Sequence, residues 1–345
     1  MPDCLPSARL NTLTLERNIP VSVTAELTRL CPLSCRHCYL PETRGRARPA
    51  PELTTAQWKR ILGQLAEAGG LYLVFTGGEP LLRPDLAELC RYAKELRFDV
   101  RVFSTGLGLT RERARELKEA GVSAFDISFY GRPPLHDSVT GLKGSFKASL
   151  AAAKLLKKAG LKVKVKTPLM RINSGQAAWL KKLAKSEGFE ISFDPVITAA
   201  NDGNTAALPL RLTGRKLAAA VKLLSSPAPR SPLPDPRPPV LDFLCGAGRN
   251  VCAVGPGGDL FSCLQLPIKL GNLTRRKFAA IWKNDKWLKK WRRYVVKDLK
   301  ICASCAHIDF CSRCPGVSLL EEGDALVPNK PACEMAEITH RFSVS

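Results

Sequence analysis

The sequence has no uninterrupted apolar run of about 20 residues, the length a membrane-spanning helix needs. Its first thirty residues are broken by Asp3, Glu16 and Glu26, so no apolar core of a secretory signal forms there. Membrane insertion and export are not expected, and the chain reads as cytoplasmic. Acidic residues are in short supply: 31 Asp and Glu stand against 53 Lys and Arg, for a net charge of +22. That imbalance favours partners of opposite sign, whether nucleic acid, an acidic peptide or an electron donor with an acidic face. It also fits a merely solubilising surface, and by itself it identifies no partner. Tandem repeats are lacking too.

What is present is enough for one large domain and a smaller one: 345 residues, 45% of them hydrophobic. From residue 19 onward strand-like and helix-like segments alternate. Strands are expected at 21–27, 71–76, 100–105, 124–129, 163–169 and 190–195. Helices are expected at 54–68, 84–96, 111–120, 145–159, 176–186 and 213–224, with glycines such as Gly121, Gly160 and Gly188 at their ends. Six such units in succession imply a parallel α/β sheet, open or curled. Residues 1–18 lack a strong period and read as an arm. The stretch 226–239 is dense in proline and reads as a semi-rigid linker between a 19–225 domain and a cysteine-rich 240–345 domain.

Thirteen cysteines in a chain of this kind argue for metal ligation rather than disulfides. Three lie in one short loop after the first strand, Cys31-Pro-Leu-Ser-Cys35-Arg-His-Cys38, followed by Tyr39. Three thiolates are one fewer than a closed four-iron cluster wants, which leaves one iron open to an outside molecule. A structural zinc knuckle or packed thiols remain alternatives from spacing alone. After the second strand stands Thr76-Gly77-Gly78-Glu79-Pro80, where glycines admit close backbone approach and Glu79 offers a carboxylate to an ammonium group. The C-terminal part carries Cys245, Cys252, Cys263, Cys302, Cys305, Cys311, Cys314 and Cys333. By count these suit two fully ligated four-iron clusters, or zinc ribbons. Cys4 and Cys90 fall outside both patterns, Cys90 as a buried helix residue. Between Cys263 and Cys302, the stretch 275–300 interleaves eleven Lys and Arg with Trp282, Trp287, Trp291 and Tyr294. It reads as an apolar helical stripe with a solvated basic face, or as a docking surface for an acidic peptide or electron donor.

The loop at 31–38 together with the turn at 76–80 resembles the radical S-adenosylmethionine (radical SAM) superfamily. The C-terminal cysteine order resembles its SPASM auxiliary-cluster domain, as found in peptide and protein maturases. The resemblance implies a partial (β/α)6 TIM-like barrel followed by a small SPASM domain, with chemistry at the strand C-termini. It implies one open-site [4Fe-4S] cluster on Cys31, Cys35 and Cys38. S-adenosylmethionine would be held by Gly77, Gly78, Glu79 and Pro80, with Ser104 and Ser128 as further contacts. It implies two auxiliary clusters, one on Cys245, Cys252, Cys263 and Cys314, the other on Cys302, Cys305, Cys311 and Cys333. The chain departs from the family in having only Ser312-Arg313 between Cys311 and Cys314. The implied activity is reductive cleavage of S-adenosylmethionine and hydrogen abstraction from a ribosomally made peptide or a protein side chain. An electron donor such as a flavodoxin or ferredoxin is implied. Small-molecule cofactor biosynthesis is the alternative; a nucleic-acid substrate fits the charge but not the SPASM pattern. His136-Asp137 and the segment through Phe146 resemble a stretch of the peptide-modifying members, and Asp194 would face the cavity. No catalytic acid or base is assigned.

Overall fold

The computed structural model describes residues 6–40, 51–224 and 243–344; Cys4 and the proline-rich 226–239 stretch lie outside them. Six parallel strands come first: β1 (Ser22–Thr28), β2 (Tyr72–Gly77), β3 (Asp99–Ser104), β4 (Val122–Ser128), β5 (Lys162–Pro168) and β6 (Glu190–Asp194). Helix α1 (Pro6–Arg17) precedes them. Between and after them run α2 (Thr55–Glu67), α3 (Leu86–Glu95), α4 (Arg111–Glu119), α5 (Pro133–Thr140), α6 (Ser145–Lys158), α7 (Ala177–Glu187) and α8 (Gly214–Leu224). They make the expected α/β partial barrel.

Period-two alternation explains the layering. Val23, Ala25 and Leu27, Leu73 and Phe75, Val100 and Val102, and Phe125 and Ile127 share one buried core under the helices. The residues between them, among them Glu26, Thr76, Phe103, Asp126 and Ser128, project to the opposite, concave face. Helix α2 begins where Thr54 accepts from the Gln57 amide and the Gln57 side chain accepts from the Thr54 amide, and it buries Trp58, Ile61, Leu62 and Leu65. Each such side chain contributes about 1.5–3 kcal/mol.

The C-terminal part joins the same sheet. Strand β7 (Val251–Val254) pairs parallel with β1, Val23 facing Cys252; β8 (Asp259–Cys263) and β9 (Leu266–Asn272) follow antiparallel. One nine-stranded sheet results, in the order β6-β5-β4-β3-β2-β1-β7-β8-β9. Beyond it lie α9 (Phe278–Asn284), α10 (Lys286–Trp291), α11 (Pro315–Glu322) and α12 (Lys330–Val344).

Two local expectations change. The N-terminal arm contains a helix, α1, which is tied down by tertiary contacts instead of a strong apolar period: the Asn250 side chain donates to Asn11 and Thr14. In the basic stretch the aromatics pack inward. Trp282 and Trp291 are buried, and Trp287 stacks on Trp291 with ring centroids 5.3 Å apart. Lys283, Lys286, Lys289, Lys290 and Arg293 are left on the surface. Arg292 differs: its guanidinium donates to the carbonyls of Gly248 and Trp282. No helix among the described residues is long and apolar enough to cross a membrane.

Candidate active site

The cysteine loop follows β1 and is held from the side by α5. The Ser34 amide donates to the Thr140 carbonyl and the Arg36 amide to that of Val139, at 2.9 and 3.0 Å. The carboxylate of Asp137 in turn accepts from the Gly144 and Phe146 amides and the Ser145 hydroxyl. His136 is buried against Phe129, Tyr130 and Phe146. The His136-Asp137 segment is therefore a brace behind the cysteine loop and does not enter the cavity.

Cys31, Cys35 and Cys38 open together onto one cavity of about 500 Å³. Burial, and then the charge of neighbouring thiols, pushes Cys35 up to about 12; burial chiefly pushes Cys31 up to about 11. Such thiols become ligands only when a metal displaces their protons. They are close enough to feel one another. Three thiols lining one roomy cavity suit a cluster, where each ligates a different iron. The residues fit the implied group.

The opposite wall is formed by the ends of β2, β3 and β4. Gly77 and Gly78 line it, but a further constraint fixes both as glycine. A Cβ on Gly77 would meet the Thr28 carbonyl at 2.4 Å, and one on Gly78 the Leu30 carbonyl at 2.2 Å. The Gly78 and Glu79 amides donate to those same carbonyls at 2.7 Å, which ties the turn to the segment entering the cysteine loop. The glycines serve close approach of chain to chain as well as access to a ligand.

Glu79 also has a structural part that its motif does not reveal. Its side chain is fully buried and already accepts four hydrogen bonds. They come from the Ser104 hydroxyl, the Leu81 amide, and the amide and hydroxyl of Thr105. Burial still pushes its carboxyl up. The carboxylate braces the ends of β2 and β3. Pro80 is buried and opens the short 3-10 turn that Glu79 caps. Ser104 lines the cavity while bonded to Glu79, and Ser128 lines it beside Tyr130.

Three features escaped the sequence reading. The Tyr39 hydroxyl donates to buried Glu26 at 2.8 Å, linking the loop to β1. Tyr130 lines the cavity with Ser128 and Cys35 and packs edge-on against His37, centroids 4.9 Å apart. Its place two residues beyond Ser128 is a period-two signal that would have marked it. Asp194 does line the cavity; its Oδ1 accepts from the Val196 amide, and burial pushes its carboxyl up.

The C-terminal cysteines fall into two groups of mutual neighbours. Cys245 feels Cys263 and Cys314, and buried Cys252 feels Cys263; burial is the main cause of the upward push on each of the first three named here that shift, Cys245, Cys252 and Cys263. Cys333 feels Cys311, Cys302 and Cys305. Cys314 also lines the central cavity, next to Gln265 and Val317. Its position depends on Gly316, where a Cβ would come within 1.6 Å of the Gln265 carbonyl. Cys90 is buried within α3, as expected.

Fold and site together define an α/β enzyme with a thiol-lined cavity at the carboxyl ends of its strands and further cysteines behind one wall. The Radical SAM superfamily profile matches residues 25–178, and the SPASM iron–sulfur cluster-binding domain matches residues 245–315. A PqqA peptide cyclase of Rhodopseudomonas palustris is 30% identical, over 94% of this chain and 89% of its own. An AdoMet-dependent heme synthase of Methanosarcina barkeri is 28% identical, over 92% of this chain and 97% of its own. Among solved structures, Streptococcus suis SuiB bound to S-adenosylmethionine superposes with a TM-score of 0.68 at 18% identity, covering 95% of this chain and 81% of SuiB. The protein anSMEcpe with bound AdoMet gives 0.66 at 16% identity, covering 94% of this chain and 97% of its own. This chain belongs to the radical SAM superfamily and carries a SPASM iron–sulfur domain.

Proposed function

We propose that this enzyme modifies a ribosomally made peptide or a protein side chain by radical chemistry. The observation that carries the reading is the single cavity shared by Cys31, Cys35, Cys38, the Thr76–Gly78 backbone and Cys314. The whole-length likeness to a PqqA peptide cyclase supplies the substrate class. In this reading Cys31, Cys35 and Cys38 hold the open-site cluster. Cys245, Cys252, Cys263 and Cys314 hold one auxiliary cluster, and Cys302, Cys305, Cys311 and Cys333 the other. When loaded and given one electron by the donor, the site would cleave S-adenosylmethionine into methionine and a 5′-deoxyadenosyl radical able to take a hydrogen atom from substrate. The chain's own part is positional. The turn at Gly77 and Gly78 and the hydroxyls of Ser104 and Ser128 present backbone and side-chain polar groups to the cofactor. Glu79 fixes that wall from behind. Asp194 and Phe103 face the space left for substrate. The exposed cations of α9 and α10 receive an acidic one-electron donor, such as a flavodoxin or ferredoxin, and the reaction runs in the cytoplasm.

A second reading, synthesis of a small cofactor, is favoured by the likeness to the heme synthase along 97% of that relative. Anaerobically reconstituted enzyme given S-adenosylmethionine and a reductant should release 5′-deoxyadenosine. Supplying in turn short peptides encoded beside its gene and iron-porphyrin precursors separates the two readings by the mass change of the substrate. A change confined to the porphyrin would overturn the peptide reading.

A further inference from the structure

One arginine, Arg211, ties together two segments that both line the central cavity. The loop after β6 supplies Val196, Ile197 and Thr198 to that lining, and the start of α11 supplies Cys314 and Val317. The Arg211 Nε donates to the Ile197 carbonyl. Its two terminal nitrogens donate to the two carboxylate oxygens of Glu321, the Nη1 bond at 2.7 Å, in a bidentate pair. Val317 and Glu321 stand four residues apart on α11 and so share one face of the helix. The residue that faces the cavity and the residue that meets the arginine are therefore oriented by the same helix rotation.

Arg211 is itself firmly placed. It sits between two buried leucines, Leu210 and Leu212, and Leu210 belongs to one apolar cluster with Ile197 and Tyr130. The Arg171 amide donates to the Leu210 carbonyl at 2.8 Å, which fixes the backbone there. Helix α11 is pinned at its beginning, where Gly316 lies against the Gln265 carbonyl and the Asn329 side chain donates to the Ser318 hydroxyl at 3.1 Å. A helix pinned at one end can still swing at the other. Glu321 is the last residue but one of α11, and there Arg211 holds it. The two side chains are only 15% and 8% exposed. Desolvation consumes much of the attraction in such a pair, so its chief effect is geometric: a fork meeting a carboxylate fixes direction as well as distance.

We propose that Arg211 sets the spacing between the loop after β6 and α11, and with it the place of Cys314 relative to a substrate in the cavity. The proposal rests on the reading that a peptide occupies this cavity and that Cys314 ligates an auxiliary cluster. Arg211 is a positioning residue: it stands outside the cavity lining and acts through Ile197 on one side and α11 on the other. The cysteine loop at 31–38 and the turn at Gly77 and Gly78 are held by other bonds, from α5 and from the end of β1. Loss of the tie should therefore spare cleavage of S-adenosylmethionine and impair the substrate half of the reaction.

The test compares reconstituted wild-type holoenzyme with two variants. Arg211→Met combined with Glu321→Met removes both charges at similar volume, a change that buried ion pairs commonly tolerate without loss of stability. Its release of 5′-deoxyadenosine at saturating S-adenosylmethionine, without peptide, should match wild type. Its kcat/KM for a short peptide encoded beside its gene should fall by up to about 100-fold, the cost of misplacing reacting groups by about 1 Å. Pulsed electron paramagnetic resonance of the reduced holoenzyme should show a wider spread in the coupling between the open-site cluster and the cluster that Cys314 holds. Arg211→Lys keeps the charge but lacks the fork, and should show both effects at smaller amplitude, which serves if the double variant folds poorly. Wild-type peptide turnover, or an unchanged spread, overturns the proposal. So does a fall in peptide-free 5′-deoxyadenosine release equal to the fall in peptide turnover, since the pair would then only support the fold. If wild type itself modifies none of the peptides, the substrate reading fails on its own account, and the spread alone decides whether the tie sets the spacing.

Discussion

The Ser104 hydroxyl donates to the Glu79 carboxylate at 2.7 Å, joining the end of β3 to the turn after β2 behind the cavity wall. Replacing Glu79 by Ala strands the Leu81 and Thr105 amides and two hydroxyls, and each unsatisfied buried donor costs about 1–3 kcal/mol. Glu79→Ala should therefore lose stability in urea unfolding along with affinity for S-adenosylmethionine. A variant that lost affinity at wild-type stability would show that the carboxylate meets the cofactor directly.

Eleven cysteines in sets of three, four and four should bind about twelve irons. Changing Cys31, Cys35 and Cys38 together to Ala should leave about eight irons and abolish release of 5′-deoxyadenosine. Iron and sulfide analysis reads both outcomes. Stoichiometric zinc in place of iron would contradict the assignment.

Gly316→Ala should unseat the start of α11, because its Cβ would overlap the Gln265 carbonyl. Cys314 moves with that turn. The expected result is loss of iron from the Cys245–Cys252–Cys263–Cys314 set, with the second set retained. Full iron content in the variant would mean that the turn can shift without disturbing its cysteine.

Burial holds His136 neutral and pushes its imidazole down to about 4, against about 6.5 in an unfolded chain. The unfolded state thus takes up a proton first. As pH falls from about 6.5 towards 4, the fold should lose stability by up to roughly 3 kcal/mol from this group. His136→Phe removes the titration while keeping an aromatic ring in the cluster. Urea midpoints of the apoprotein across that window should fall less steeply in the variant, and parallel profiles would exclude the histidine.

Reversing Lys283, Lys289, Lys290 and Arg293 to Glu changes only exposed charges. Reduction by an acidic donor protein should slow and lose its dependence on salt, whose screening length is about 8–10 Å near physiological strength. Reduction by dithionite should stay as in wild type. Arg292 has to be left out of the set, since its guanidinium holds two backbone carbonyls.

Much of this was legible in the sequence because its signals are local. The alternation in β1 to β5 and the glycines after α4, α6 and α7 place elements to within a residue or two. The triplet Cys31, Cys35 and Cys38 is legible from its spacing taken together with the turn at 76–80. The rest depends on partners far along the chain. Helix α1 answers to Asn250, Ser104 and Thr105 reach Glu79 from the end of β3, and Tyr130 meets the cysteine loop only once β4 lies beside it. The strands β7 and β8 are only four and five residues long and β9 is interrupted by Pro267 and Gly271, so their pairing could not be read from period alone.

Strand β1 lies between β2 and β7, with Ala25 facing Phe75 on one side and Val254 on the other. A shortened chain that stops after α8 would uncover the edge of that strand over Ser22–Ala25, apolar on one face and lacking its hydrogen-bonding neighbour. Such an edge recruits other chains, so the truncated barrel should aggregate instead of surviving as a soluble half. Excising the cysteine-rich part is therefore no clean way to ask what it contributes; single-cysteine replacements leave the sheet closed and ask the question fairly.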